Sequence, residues 1–374
     1  MVTNMDIISH IHHMDLLMEC KADNSLMAWD SLVCKAVILH QDKMMMIVKT
    51  VKNGKEGDER ERLLLYLSDV TEENFISIRS VKDGVWLCKT DTSKWILKEF
   101  SSSSQLKMQI KLTELLLSNH FPQTYHFHSI HSRKEISFNH RIYGLIEYIE
   151  SNLDGKRFSY STHENRKQAL QLLKKFHHVS ETFAKDFEKD LNVFDQIKKW
   201  QKRLQEFKAN EKYLERWLPK KYYLSYLFWS EWSLDYMIKN KEYFLKKPYC
   251  IIHGDVAHHN FILGNDGLYL IDFDLAKMAP DIIDDLQFCN RILPHLDWSL
   301  KKLSMYKPLE KHLKEKSFLS ALIYPTDLLR EWNYFLKYEE GRGRLSSFMT
   351  EITFREFDKR EKFVKDVINE IKRL

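Results

Sequence analysis

The sequence predicts an α+β protein of two unequal lobes, a small five-stranded antiparallel β lobe carrying one helix and a larger, mainly helical lobe. Three observations predict it. Residues 75–150 hold short runs rich in β-formers, separated by turn residues. Beyond Asp154-Gly155 apolar residues recur at helical spacing, as in "RKQALQLLKKFHHVS" with Ala169, Leu172, Leu173 and Phe176. One strand–turn–strand stretch, "IIHGDVAHHNFILGNDGLYLIDFD" (251–274), then interrupts the helices with a concentration of polar groups.

Taken in order, residues 1–68 form an N-terminal segment with the weakest pattern. "CKAVILHQDKMMMIVKTV" is compatible with a strand pair or a helix, and "GDERERLLLYLSD" reads as a short helix. His10, His12 and His13 have no cysteine or carboxylate partners at ligand spacing, which argues against a metal site there. The small lobe, 69–150, opens with "FISIRSV", "VWLCKT" and "WILKEF", separated by "KDG" and "DTSK" as in a β-meander. In "SSSSQLKMQIKLTELLLSNHFP", serines suited to N-capping lead into a helix that stops before Pro122. "YHFHSIH" and "RIYGLIEYIE" read as strands four and five, and the large lobe spans 151–374.

Composition narrows the function classes. A chain of 374 residues with 44% hydrophobic and 30% charged residues can bury a sizeable core. It has no apolar run of about 18 residues, so no membrane span is expected. The N-terminus lacks a basic region followed by an apolar stretch, which makes a secretion signal a poor reading. The 5 cysteines include no CxxC pair and are odd in number, as suits reduced thiols in a cytoplasmic protein. A net charge of +5 suits an anionic ligand without indicating a nucleic-acid partner. The most basic region, 191–248, interleaves its lysines with Trp200, Trp217, Tyr222, Tyr223, Phe228 and Trp229, as on a solvated amphipathic helical face. Composition says nothing about oligomeric state.

The chemistry concentrates in 251–274. If 261–263 pairs with 268–271 across "GNDG", the hairpin brings Asp255, Asn260 and Asp272 together. Two carboxylates and an amide oxygen can hold a hard divalent cation such as Mg²⁺. An aspartate just before the metal ligands can take a hydroxyl proton as that oxygen attacks a γ-phosphorus. Asn265 and Asp266 read as turn residues, whereas Asp255 and Asp272 flank apolar strands where a turn does not require them.

"HGDVAHHN" followed by "LIDFD" resembles the catalytic and metal-binding motifs of the aminoglycoside phosphotransferase and choline kinase superfamily, whose fold is protein-kinase-like. Within it, "VWLCKTDTSKWILKEF" and the HGD block look most like bacterial spore-coat-associated kinase-like proteins. The resemblance covers roughly 70–350 and implies an ATP- and Mg²⁺-dependent transfer of phosphate to a small-molecule hydroxyl. It implies Asp255 as catalytic base, Asn260 and Asp272 as Mg²⁺ ligands, and His253 packed on Phe273. Asp274 becomes a supporting or metal contact, and Asp285, with Asp284 as the alternative, braces the catalytic loop. His177 is similar to a structural histidine of the family. The family's strand-three lysine corresponds to Lys98, at the end of "WILK". Ile110, Glu114 and Leu117 fall on one helix face, so Glu114 is the candidate partner of Lys98, unless it lies on the rim beside Lys107 and Lys111. Backbone groups around Glu147, Tyr148 and Ile149 would meet the adenine edge.

The chain departs from the protein-kinase pattern in its first turn, "RSVKDGVW", which has one glycine, Gly84, and no GxGxxG. His258 and His259 read as loop residues near the acceptor entrance, where Glu231, Asp235 and Glu242 would suit an aminated acceptor. The competing expectation is a kinase fold used for binding or structure, with weak or no turnover.

Overall fold

The structure is a computed structural model that describes residues 55–151, 157–338 and 343–374. The histidine cluster at 10–13, the stretch 34–51 and Asp154-Gly155 therefore lie outside the described residues. Helix α1 (Lys55–Thr71) contains the expected short helix and runs past residue 68. Leu63 and Leu67, one turn apart, are buried with Phe75, Leu97, Tyr143 and Leu145 in a small apolar core.

Strands β1 (Phe75–Lys82), β2 (Val85–Thr90), β3 (Lys94–Phe100), β4 (Ile136–Phe138) and β5 (Arg141–Glu147) form one antiparallel sheet in the order β1-β2-β3-β5-β4. Helix α2 (Ser103–Ser118) follows β3, and the Ser102 hydroxyl caps it by accepting from the Gln105 amide. The fourth strand is not where the sequence pattern placed it. In 125–131 one bridge forms, Phe127 to Ile146, after which His128 caps a 3₁₀ turn over Ser129–Ser132. Phe127 and β4 share the same edge of β5, so the expected fourth strand is divided between them.

The large lobe is helical around a core rich in aromatic residues. Its main helices are α3 (His163–Glu181), α4 (Gln196–Ala209), α5 (Lys220–Lys239), α6 (Ile282–Ile292), α7 (Thr326–Tyr338) and α8 (Phe357–Arg373). The basic region 191–248 is amphipathic as read: Trp200, Tyr223 and Trp229 are buried while Lys198 and Lys202 face water. Trp200 stacks on Tyr324 with ring centroids 4.1 Å apart, joining α4 to the segment before α7.

Four short strands interrupt these helices. β6 (Cys250–Ile252), fully buried, pairs with β9 (Lys277–Ala279). β7 (Phe261–Gly264) pairs with β8 (Gly267–Leu270), Phe261 opposite Leu270, as the Gly-Asn-Asp-Gly turn predicts. The two pairs carry the polar residues of 251–274 out to the boundary with the sheet lobe.

Candidate active site

The loop after β6 is shaped by close packing. Gly254 has φ +79, and a Cβ there would stand 2.3 Å from the Leu275 carbonyl oxygen. Only glycine allows both the turn and this approach, which draws His253-Gly254-Asp255 onto the segment after Asp272. The His253 ring is buried, with Nε2 2.8 Å from the Ile271 carbonyl and its ring 5.3 Å from that of Phe273. Phe273 is fully buried and stacks on Phe176 of α3 at 5.6 Å, so the loop is fixed to the core on its inner side.

The brace beneath this loop is Asp284, not Asp285. The Asp284 carboxylate accepts from the His253 amide at 2.6 Å and the Gly254 amide at 3.0 Å, and lies 2.9 Å from His177 Nε2. It is fully buried, and burial pushes its carboxyl up. The hydrogen bond with His177 and the field of His253 outweigh that push, so the group sits below the usual carboxylate range. Neighbours on a helix point about 100° apart, so Asp285 turns instead to Lys174 and to His312 Nε2 at 3.1 Å. Asp281, also on Lys174 at 2.8 Å, is held down to about 2 by that ammonium against the opposing effect of burial.

At the end of the hairpin, Asn260 is buried and its amide donates to the Asp255 carbonyl at 2.9 Å and reaches Asp255 Oδ2 at 3.4 Å. Asp272 adopts the left-handed region, φ 70 and ψ 70, uncommon for a residue with a Cβ and frequent where a side chain must be aimed. Its Oδ1 lies 2.7 Å from Lys98 Nζ and its Oδ2 3.6 Å from Lys82 Nζ. Burial pushes the Asp272 carboxyl up, but the Lys98 ammonium outweighs it and the net direction is down. Asp274 meets the same ammonium at 2.8 Å.

Lys98 is therefore paired with acids of the large lobe, and Glu114 is not its partner. Glu114 is exposed. The buried stripe of α2 runs through Leu106, Gln109, Leu112, Thr113 and Leu116, which turns the Ile110–Glu114–Leu117 face away from the sheet. Gln109 holds the inward place instead: its amide donates to Asp274 Oδ1 at 2.6 Å, and its oxygen accepts from the Tyr125 hydroxyl at 3.1 Å. A carboxamide there orients Asp274 without adding a charge.

At the hinge, the Glu147 amide donates to the His126 carbonyl at 2.9 Å and the Tyr148 amide to Lys94 at 3.3 Å. Those two donors are engaged by the sheet lobe, and Ile149 packs half-buried against the large core. His258 and His259 are exposed, their rings 5.6 Å apart.

Three contacts escaped the sequence pattern. Arg291 Nη2 lies 3.1 Å from Asp255 Oδ1, Lys82 reaches Asp272, and Gln109 holds Asp274. For Arg291 a signal existed, since it follows Asp284 by two turns and so shares its face of α6.

The arrangement offers a half-exposed carboxylate for a proton, an amide and two carboxylates for a hard cation, and ammonium groups for phosphate oxygens. The donors are all oxygen-bearing, as a hard cation such as Mg²⁺ requires, and the Lys98 and Lys82 ammonium groups on Asp272 and Asp274 would have to yield those oxygens to it.

Comparison with known proteins agrees with this fold. The sequence model of the "Phosphotransferase enzyme family" matches residues 77–295. No curated protein matches the chain by sequence. An aminoglycoside phosphotransferase from Alicyclobacillus acidocaldarius shares the fold with a TM-score of 0.63 at 15% identity, over 80% of this chain and 93% of that one. A spectinomycin phosphotransferase in complex with ADP and spectinomycin superposes with a TM-score of 0.52 at 13% identity, over 83% and 97%. The GDP complex of an aminoglycoside 2′-phosphotransferase mutant gives 0.54 at 12% identity, over 83% and 99%.

Proposed function

We propose, from the premise that this chain belongs to the phosphotransferase enzyme family, that it is an ATP- and Mg²⁺-dependent kinase acting on a hydroxyl of a small molecule. The observation that carries the reading is the convergence of Lys98 from the sheet with Asp272 and Asp274 from the large lobe, next to Asp255 and Asn260.

The residues divide the work. Asp255 takes the proton of the acceptor hydroxyl as its oxygen bonds to the γ-phosphorus and the bond from that phosphorus to the β,γ-bridging oxygen breaks, leaving ADP. Asn260 and Asp272 would hold Mg²⁺, which would neutralise charge on the transferring phosphates. Lys98 turns from Asp272 and Asp274 toward the α- and β-phosphates, and Lys82 adds a second ammonium where the turn after β1 has no glycine-rich motif. Asp284 and His177 keep the catalytic loop in place without touching the reactants. Positioning and electrostatic stabilisation supply most of the rate. Since the sheet lobe engages the Glu147 and Tyr148 amides, the adenine would be met by the other backbone groups of 147–149.

Thermal unfolding with and without Mg·ATP, followed by ADP release over a panel of hydroxyl compounds, tests the reading. A nucleotide-dependent rise in Tm with acceptor-stimulated ADP release is expected. Stabilisation without turnover of any alcohol would favour a binding role for the fold, and no stabilisation would contradict both.

A further inference from the structure

The surroundings of Asp255 differ in charge from what an aminated acceptor requires. Its carboxylate is met by the Arg291 guanidinium at 3.1 Å, on a side chain 36% exposed and so within reach of a ligand. Asp195 caps α4 immediately after a segment that docks on β9, the Phe194 amide donating to the Met278 carbonyl at 2.8 Å. β9 in turn pairs with β6, which leads into Asp255. From the first turn of α4 Lys199 projects its ammonium over the Phe194 ring at 5.1 Å. Among the described residues no carboxylate stands within ion-pair distance of it, and the acids whose field reaches it are Asp255 and the buried Asp284.

Further cations lie behind it. Arg203, one turn on, donates to the Thr326 carbonyl at 3.0 Å and hydroxyl at 2.6 Å, and Arg330 of α7 pairs with Glu331 at 2.7 Å. Lys199 is exposed as a residue, but desolvation of its ammonium, then Arg203 and Arg330, push it down to about 8, with Asp255 and Asp284 opposing. The acids that the sequence offered for an amine are turned elsewhere. Asp235 pairs with Lys239 at 2.6 Å along α5, Glu231 pairs with Lys208, and Glu242 faces water.

We propose that the acceptor alcohol carries an oxyanion, a carboxylate or a phosphate, which Arg291 and Lys199 bind beside Asp255. This rests on the phosphotransferase reading and names the substrate class of that same site. Arg291 uses one N–H on Asp255, and its planar fork has other N–H groups to give to an oxyanion. Binding an anion relieves the mutual repulsion of Lys199, Arg203 and Arg330. A polycationic aminoglycoside would meet the same cations and be disfavoured.

The test measures ADP release with Mg·ATP and three acceptor classes. These are hydroxy acids, sugar acids and sugar phosphates; neutral sugars and polyols; and amino sugars and choline. The expected result is an anionic alcohol whose kcat/KM exceeds that of its neutral isostere about tenfold or more, the worth of one charge-assisted hydrogen bond. Lys199→Gln and Arg291→Gln each collapse that ratio, while Lys199→Arg, which keeps the charge, preserves it. Comparing hydroxy acids with sugar phosphates tells which oxyanion is read. A preference for neutral or amino acceptors, no turnover of any anionic alcohol, or a ratio unmoved in both Gln variants overturns the proposal. Calorimetric titration with Mg·ATP separates the two failures. A chain that binds no nucleotide fails the phosphotransferase reading itself, whereas one that binds it and phosphorylates only amino sugars overturns the oxyanion alone.

Discussion

The two sides of the candidate site handle charge in opposite ways. On the side toward the sheet, Asp272 and Asp274 face Lys98 and Lys82, acids matched by ammonium groups before any ligand arrives. On the side toward α4 and α6, Asp255 faces Arg291 and lies in the field of Lys199, with further cations behind. The first side suits a ligand that brings its own cation, as Mg·ATP does, because positive and negative groups can separate to meet metal and phosphate. The second holds Lys199, without an ion-pair partner among the described residues, and an Arg291 fork with N–H groups to spare, and both can meet an anion that arrives alone. Hydrogen bonds and ion pairs that balance inside one region imply a balanced ligand, and an imbalance predicts the ligand's sign.

The largest expected effect removes the balance on the sheet side. Asp272→Ala leaves Lys98 with Asp274 alone, takes from Lys82 its carboxylate, and deletes a proposed metal ligand. ADP release should fall about a thousandfold and the Mg·ATP-dependent rise in Tm should disappear. Retained turnover would show that the paired acids are structural.

A smaller effect separates the site from its support. Asp284→Asn leaves two buried amides and His177 poorly matched and should cost about 3 kcal/mol in urea unfolding. Asp285→Asn, where Lys174 keeps Asp281, should cost about 1 kcal/mol. The reverse order would return the brace to Asp285.

The α4 side is sharpened by pH. Lys199, held down to about 8, is charged below that pH and neutral above it. The KM for a hydroxy-acid acceptor should rise severalfold between about pH 7 and about pH 9, as Lys199 loses its charge. A flat profile in wild type identical to that of Lys199→Gln would remove Lys199 from acceptor binding. The smallest effect is that of Glu114→Gln, which should move stability by less than about 0.5 kcal/mol and leave nucleotide affinity unchanged.

How much of this was legible in the sequence depended on whether the signal was local. The β7–β8 hairpin, the Ser102 cap and the clustering of Asp255, Asn260 and Asp272 follow from turn chemistry, capping and spacing over a few residues, and all were readable. The fourth strand was not, because Phe127 and Ile136–Phe138 compete for one edge of β5 and the pattern of 125–131 cannot show where the edge is taken over by a 3₁₀ turn. Glu114 misled through a rotation of about 100°: one residue's shift in the buried stripe of α2 replaces a carboxylate facing Lys98 by the amide of Gln109. Asp284 and Asp285 differ by the same angle. Lys82 reaches Asp272 across a long stretch of chain that no local period encodes, whereas the face of α6 shared with Asp284 pointed to Arg291.

The central claim is that Asp255 accepts the hydroxyl proton in a phosphotransfer site whose nucleotide side is formed by Lys98 and Asp272. The most direct test is Asp255→Asn, read for transfer of γ-phosphate from ³²P-labelled ATP to an acceptor and, on the same preparation, for Mg·ATP affinity. The account predicts transfer reduced by roughly 10³-fold with nucleotide affinity within a factor of about three of wild type. Transfer that survives the substitution would contradict it.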